Sequence, residues 1–250
     1  MTGYVSGLFI LLVGLALAPA PRPPAGPVGQ NPPLTAPKVL HISEAQGALD
    51  PAVMATADVS AVVLRASHGA QADGQVLAYA AQLEAAEMPV AALYHDYDPA
   101  LPWGEQYDAL AAVMDETGAR RAVVRLSGAG LSGATAAGLG AFMAQLATEF
   151  PLPYPYRHMV QTDAAAWQAL GRPAWGASYE LWIVEATNAP APGVPTPWKG
   201  WRMWQYTTTA DGPSNGVASP TVAVSRFNGS SVQFAGWLGV AWVRGETAAR

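Results

Sequence analysis

The sequence contains no cysteine and few charged residues. None of its 250 residues is a cysteine, which excludes disulfide bonds, thiolate metal ligands and thiol chemistry. Charged residues make up 12% of the chain and hydrophobic residues 51%, a balance that supports a sizeable buried core. The formal net charge of -5 gives no electrostatic reason to expect nucleic acid as a partner. The length suits one large domain, or one domain plus a short appendage.

The N-terminus carries the longest apolar run. Residues 4–20 are nearly all apolar, and no charged residue precedes Arg22. About 17 residues is the lower limit for a helix that spans a bilayer, so a membrane anchor is our leading interpretation of residues 1–20. A cleaved signal peptide and a buried core helix are the alternatives. With an anchor we expect the remaining chain to face the extracytoplasmic side, and with a cleaved signal we expect it to be secreted.

Proline dominates the segment that follows. Eight of the nineteen residues in 19–37 are proline, which prevents a helix or a sheet ladder and is typical of a semi-rigid polyproline II spacer. We therefore interpret residues 21–37 as a linker, residues 38–235 as one folded domain and residues 236–250 as a C-terminal tail.

After Lys38 short apolar, β-branched runs alternate with alanine-rich helical stretches. Such alternation indicates parallel βα units, and five units followed by three strands give the eight that close a barrel. The predicted fold class is therefore α/β, a single (β/α)-type barrel with an N-terminal apolar anchor helix. The predicted strands are 39–43, 61–66, 90–95, 122–126, 156–161, 180–186, 202–208 and 221–227, and the predicted helices are 76–86, 103–116, 134–150 and 164–170.

Short motifs follow one another in a distinctive order between residues 38 and 230. They are HISEAQG at 41–47, VLRASHG at 63–69, Asp73, ALYH at 92–95, LWI at 181–183, WQYT at 204–207 and RFNG at 226–229. This ordered set resembles glycoside hydrolase family 25, the lysozyme or N-acetylmuramidase type. The resemblance implies a barrel that acts on the β-1,4 bond between N-acetylmuramic acid and N-acetylglucosamine in peptidoglycan.

The sequence departs from that family at its catalytic positions. A glycosidase of this kind needs two carboxyl groups near the scissile bond, and the family carries Asp-x-Glu on the fourth strand and aspartates on the first and last. Here those positions hold His41, Arg125, Ser127 and Ala223, and residues 120–131 contain no Asp or Glu. Because proton donation contributes roughly 100- to 10,000-fold in rate, we expect hydrolysis to be impaired.

Two carboxylates near predicted strand ends are candidates for a relocated catalytic pair. Asp96 follows Tyr94 and His95, and Glu185 lies near the end of the sixth strand. Strand alternation places Asp96 on the side of Tyr94, but Glu185 opposite Trp182. The alternative is that Asp96 forms an ion pair with Arg125 and that Glu185 is solvated.

Histidines also fall near strand ends. His41, His68 and His95 end consecutive strands and His158 lies on the fifth, which makes shared metal coordination with Asp96 conceivable. Spacing along strands does not show convergence, and we expect hydrogen-bonded histidines of a polar mouth. We therefore predict no metal and no cofactor.

Aromatic and amide side chains suggest a retained saccharide groove. Sugars present apolar faces to aromatic rings, and their hydroxyls need amide or charged partners. The alternative is that the tryptophans fill gaps between irregular strands. The predicted substrate-binding residues are His41, Gln46, Tyr94, Arg125, Trp182, Trp204, Gln205 and Tyr206.

Three functions remain open from the sequence. The first is a catalytically impaired domain that binds cell-wall glycan or a protein partner outside the membrane, and the second is an active, diverged muramidase or endolysin. The third is a structural subunit that uses the barrel for docking. A mouth filled by Arg125 and Tyr94 would favour docking, whereas an open groove lined by Trp182 and Trp204 would favour glycan binding.

Overall fold

Eight strands close into one barrel. The computed structural model describes residues 36–127, 130–187, 189 and 191–239. The closed order is β1-β2-β4-β5-β6-β7-β8-β9, with β9 antiparallel to both β8 and β1 and the other pairings parallel. The strands are β1 (Lys38–Ile42), β2 (Val59–His68), β3 (Gln71–Ala72), β4 (Val90–Asp96), β5 (Ala122–Arg125), β6 (Met159–Thr162), β7 (Glu180–Val184), β8 (Met203–Asp211) and β9 (Thr221–Phe227).

Helices follow the first five barrel strands and are missing after β7 and β8 in the described chain. The helices are α1 (Pro51–Thr56), α2 (Val76–Ala85), α3 (Trp103–Thr117), α4 (Gly133–Glu149), α5 (Ala164–Ala169) and α6 (Ser231–Leu238). The predicted arrangement of five βα units followed by three strands is confirmed. All eight predicted barrel strands are present, with ends that differ by at most three residues.

Two apolar layers flank the barrel wall. Side chains alternate between its two faces because successive residues of a strand point in opposite directions. Val63, Tyr94 and Trp182 belong to the inner cluster, whereas the outer cluster holds the residues that pack under the helices, including Leu64 and Leu93. This alternation decides which polar residues of the strand ends face the barrel axis.

Three elements were not predicted from the sequence: α1, the two-residue strand β3 and α6. Helix α1 nevertheless has clear local signals, because Asp50 accepts hydrogen bonds from the backbone of Ala52 and Val53 and Pro51 occupies the first turn. Helix α6 closes the N-terminal end of the barrel with Phe234 and Trp237, which pack against Phe227.

The predicted anchor helix lies outside the described residues, as do the linker up to residue 35 and the chain from residue 240. Within the described ranges, no helix has the length and hydrophobicity needed to cross a bilayer.

Candidate functional site

The C-terminal ends of the parallel strands form the mouth of the barrel, where βα barrels place their working residues. Strands β2, β4 and β5 bring Arg65, Asp96 and Arg125 to this end. Arg125 is paired in register with Asp96, and its guanidinium lies 4.9 Å from the centre of the Tyr94 ring. The mouth is therefore occupied by side chains of its own wall.

A continuous ion network links the charged groups of the mouth. Arg125 Nη2 donates to Asp96 Oδ2 at 2.7 Å, and its Nε contacts the other oxygen of the same carboxylate. Arg65 Nη1 approaches Asp96 at 3.7 Å and its Nε donates to Asp73 at 2.8 Å. Arg65 Nη2 donates to Glu44 at 3.1 Å. Every carboxylate of this network therefore has a guanidinium partner.

Below this network lies a buried, uncharged polar layer. His41 Nε2 lies 2.8 Å from Ser225 Oγ, which also accepts a hydrogen bond from Trp182 Nε1 at 2.9 Å. Gln161 Nε2 donates to Gln205 Oε1 at 2.7 Å. Burial, together with the nearby Arg125 guanidinium, lowers the pKa of His41 to about 3, so the imidazole is neutral at physiological pH. Burial raises the pKa of Tyr94 to about 12.

The four positions that correspond to the family's acids lie at this end of the barrel without any carboxyl group. His41 pairs in register with Ala223 across β1 and β9. Arg125 ends β5, and Ser127 follows it as an exposed residue. Where the resemblance predicts negative charge, these residues supply a neutral imidazole, a guanidinium, a hydroxyl and a methyl group.

The two carboxylates considered for a relocated pair are placed differently. Asp96 is buried in the mouth and bound by Arg125, the ion pair that the sequence analysis considered as its alternative. Glu185 follows β7, and its Oε2 accepts a hydrogen bond from the backbone of Gly193 at 2.7 Å. Its carboxylate thus stabilises the loop before β8.

The predicted saccharide residues do not share one surface. Trp182 is fully buried inside the barrel, whereas Trp204 belongs to the outer layer, where its Nε1 donates to the backbone of Glu185. Tyr206 packs beside Trp204 in that outer layer. Gln46 accepts hydrogen bonds from both the backbone and the hydroxyl of Ser43, and so caps a 3-10 turn. Of the predicted set, His41, Tyr94, Arg125, Trp182 and Gln205 face the barrel interior.

The four histidines do not form a common site. His68 is exposed, and its Nδ1 lies 3.8 Å from Asp96 Oδ2. His95 stacks on Phe142 in the outer layer, and His158 contacts the backbone of Phe150 and Ala122. Burial lowers the pKa of each of these two imidazoles to about 4. No group of three His, Asp or Glu side chains with metal-site spacing occurs within the described part of the chain.

Three residues of the site were not among the sequence predictions: Arg65, Gln161 and Ser225. Strand alternation alone could have found Arg65, which lies two residues beyond the inner residue Val63. Gln161 and Ser225 likewise lie two residues from the inner residues Met159 and Phe227, but the side chains that they contact belong to strands distant in sequence.

Comparison with known proteins gives structural matches alone. No protein-family model matches the chain, and no curated protein matches its sequence. A bacterial lysozyme from Streptomyces coelicolor superposes with a TM-score of 0.69 at 22% identity, covering 83% of this chain and 98% of the lysozyme. The family GH25 lysozyme from Aspergillus fumigatus gives a TM-score of 0.66 at 17% identity, with 84% and 100% covered.

The modular autolysin LytC from Streptococcus pneumoniae, solved with a synthetic peptidoglycan ligand, gives a TM-score of 0.63 at 16% identity, with 76% of this chain and 46% of LytC covered. These similarities concern backbone architecture and agree with the ordered sequence motifs. The chain therefore has the fold of the family 25 lysozymes and muramidases.

Proposed function

We propose that this protein is a peptidoglycan-directed, lysozyme-like domain that binds cell-wall glycan without hydrolysing it. Its fold is that of lysozymes, and one protein with this fold was solved with a synthetic peptidoglycan ligand. The N-terminal apolar segment and the proline-rich linker support a tether that holds the domain outside the membrane.

The main support for the proposed absence of hydrolysis is the ion pair between Arg125 and Asp96. A general acid must deliver a proton to the leaving oxygen, and a second carboxylate must stabilise or attack the oxocarbenium centre. Arg125 occupies the position of one of the family's acids and engages both oxygens of Asp96. Arg65 adds a second guanidinium beside Asp96, so this carboxylate is committed to structure.

The test measures hydrolysis and binding on the same preparation. The full chain in mild detergent is incubated with purified peptidoglycan sacculi, and reducing ends and sedimentation with the sacculi are recorded. We expect sedimentation without release of reducing ends. Release that disappears in Asp96→Asn and Glu185→Gln variants would instead show an active muramidase with relocated acids.

A docking scaffold for a protein partner is the second candidate. It is favoured by the mouth itself, because Arg125 and Tyr94 fill it and Trp182 and Trp204 are buried on opposite faces of the wall. In this case the full chain does not sediment with sacculi.

A further inference from the structure

Positive charge is concentrated at the base of the barrel, the end opposite to the mouth that α6 closes. Four chain segments lie at the base because they precede parallel strands: 118–121 before β5, 150–158 before β6, 170–179 before β7 and 198–202 before β8. None of these segments contains an Asp or a Glu. Their charged residues are Arg120, Arg121, Arg157, Arg172, Lys199 and Arg202.

Most of these cations have no acidic partner. Arg121 is buried, and Arg202 forms an ion pair with Glu180 at 3.0 Å. The other four take part in no ion pair within the described part of the chain. Uncompensated positive charge is concentrated from β6 to β8, because the other acids of this end lie between β1 and β6 in the barrel order. Those acids are Asp58, Glu84, Glu87, Asp115, Glu116 and Glu149.

Hydrogen bonds join the last three of these segments into one surface. Arg157 Nη1 donates to the backbone oxygen of Ala177 at 3.1 Å, and Trp198 Nε1 donates to that of Tyr179 at 3.0 Å. The segments before β6 and β8 therefore both border the segment before β7. We call the solvent-facing side chains of this surface the basal patch: Tyr154, Arg157, Arg172, Trp175 and Lys199.

The basal patch combines cations with aromatic rings. Tyr154 is 61% exposed, and Trp175 is half-buried. Val232 on α6, which covers the same end of the barrel, is 83% exposed. Tyrosine and tryptophan favour the headgroup region of a bilayer, where one part of the ring contacts lipid and the other contacts water. Since lysine and arginine are attracted by anionic headgroups, both kinds of side chain in the patch suit a lipid surface.

The N-terminal part of the chain joins the domain at this same end. Strand β1 begins at Lys38, which pairs in register with Arg226 at the end of β9. The apolar residues 4–20 lie upstream, and the linker of residues 21–37 spans about 5 nm when it is extended. When the apolar segment is anchored in a bilayer, the base rather than the mouth therefore lies next to the lipid, and a linker that runs along the surface brings the two into contact.

We infer that the basal patch binds the surface of an anionic phospholipid bilayer. The cations approach the headgroups, the rings of Tyr154 and Trp175 enter the headgroup region, and the mouth faces away from the membrane. The mouth does not attract anionic lipid in the same way, because the guanidinium groups of Arg65 and Arg125 are already paired with carboxylates. The inference rests on the membrane tether of the proposed function and is independent of glycan binding.

The experiment compares the two ends of the barrel in the full chain, which has no cysteine of its own. Ser178→Cys at the base and Ser214→Cys beside the mouth, both at exposed positions, each carry a donor fluorophore. The chain is reconstituted in vesicles that carry an acceptor on the lipid headgroups and consist of phosphatidylcholine alone or mixed with phosphatidylglycerol. We expect phosphatidylglycerol to raise energy transfer from position 178 at least about twofold and to leave that from position 214 unchanged. Added salt should reverse the increase, because it screens the attraction.

Charge variants with the label at position 178 test the patch itself. Arg157→Gln, Arg172→Gln and Lys199→Gln together should abolish the increase. Lys199→Gln alone should reduce it without affecting the fold, since the side chain of Lys199 is exposed and forms no ion pair within the described residues. Arg120→Gln is the matched control at the base, because Arg120 lies on the side of β5 with the acids, and it should keep the increase.

The outcomes separate this inference from the proposed function. Equal energy transfer from positions 178 and 214, or an increase that survives in the triple variant, would overturn the inference. A full chain that does not float with phosphatidylcholine vesicles would contradict the tether, whereas flotation with phosphatidylglycerol vesicles alone would still support binding by the patch. Salt-sensitive self-association without vesicles, lost in the triple variant, would assign the patch to a second copy of the chain instead. Sedimentation with sacculi tests glycan binding separately.

Discussion

At the scale of single residues, the mouth of the barrel contains two residues of opposite charge, and both differ from the pattern that the resemblance predicts. The family pattern on the third strand is Tyr-His-Phe, where this chain has Tyr94, His95 and Asp96. On the next strand the resemblance predicts an acid where this chain has Arg125, which lies directly opposite Asp96 in register. Without Arg125 the buried Asp96 would keep only Arg65, at 3.7 Å, and without Asp96 the partly buried Arg125 would lose its ion-pair partner, which is costly. The two residues therefore form a single structural unit.

Asp96→Asn should lower the stability of the barrel. It removes the carboxylate shared by Arg125 and Arg65, whose side chains are 29% and 18% exposed. Breaking a buried ion pair costs about 3–5 kcal/mol, and partial exposure of the guanidinium groups reduces the expected loss to about 2–3 kcal/mol. Urea unfolding of the purified full chain measures the change.

The matched control is Glu44→Gln, at the exposed end of the same network. The side chain of Glu44 is 53% exposed, and exposed ion pairs contribute at most about 1 kcal/mol. Equal losses for Asp96→Asn and Glu44→Gln would contradict a structural role specific to Asp96.

His41 should make stability depend on pH. Its pKa in the fold is lowered to about 3 by burial and by Arg125, whereas the unfolded value is about 6.5. Below pH 6.5 the unfolded chain gains a proton that the fold excludes, so stability is lost as the pH falls toward 3. The His41 contribution to this loss is about 3 kcal/mol near pH 4.5.

Unfolding free energies of the wild type and of His41→Gln, measured between pH 8 and 4.5, test this expectation. The variant should lose less stability over that range. Parallel curves would show that His41 is not the group responsible.

At the scale of elements, α6 completes the barrel core. Trp237 and Phe234 stack on each other and contact Phe227 at the end of β9. Arg121 lies 3.8 Å from the Trp237 ring and donates Nη1 to its backbone oxygen at 2.7 Å. Burial lowers the pKa of Arg121 to about 9. Arg121 thus holds the C-terminal end of this helix, where the helix dipole favours a cation.

Trp237→Ala should destabilise the fold by about 3–5 kcal/mol, because a fully buried indole is replaced by a cavity at the end of the barrel. Val232→Ala on the same helix is the control, since Val232 is 83% exposed and should change stability by less than about 0.5 kcal/mol. Denaturant unfolding measures both changes in stability, and it is followed by far-ultraviolet circular dichroism rather than by tryptophan fluorescence. A small effect of Trp237→Ala would mean that the barrel core is complete without α6.

At the scale of the whole molecule, the N-terminal segment joins the barrel at one of its two ends. Strand β1 begins at Lys38 at the end closed by α6, and it runs toward the mouth. The linker therefore joins the domain at the end opposite to the mouth. With about 3 Å per residue in a polyproline II conformation, residues 21–37 would hold the domain about 5 nm from a membrane.

If residues 1–20 are a membrane anchor, as we propose, the full chain is retained in the membrane. Leu11→Lys combined with Val13→Lys places two charges in the apolar segment, at a cost of about 2.5–3.5 kcal/mol each. We expect the wild type to stay in the membrane pellet after an alkaline wash and the double variant to be released. Val28→Lys with Leu34→Lys in the linker is the control and should be retained. A soluble wild type whose N-terminus begins after residue 18 would identify a cleaved signal instead.

The sequence by itself determined the order and type of most elements. Short apolar runs that alternate with helical stretches predict β2, β4 and β5. The helical stretches between them are long enough to be predicted from the sequence alone. The sequence also determined that His41, Arg125, Ser127 and Ala223 stand where the resemblance predicts acids, because residue identity needs no coordinates. The order and type of the elements can be predicted locally because each strand is one continuous segment of the sequence bounded by turns.

Tertiary structure alone decided which of these residues meet. The bond between His41 and Ser225 joins residues 184 positions apart, and the placement of Trp182 and Trp204 on opposite faces depends on the register of β7 and β8. Helix α6 was missed although Ser230 and Gln233 form a capping box at its start. Only the closed barrel shows that Phe234 and Trp237 fill its open end. The pattern along a strand determines on which face of the sheet a side chain lies. The partners of that side chain across the barrel axis depend on closure of the barrel, which involves the whole chain.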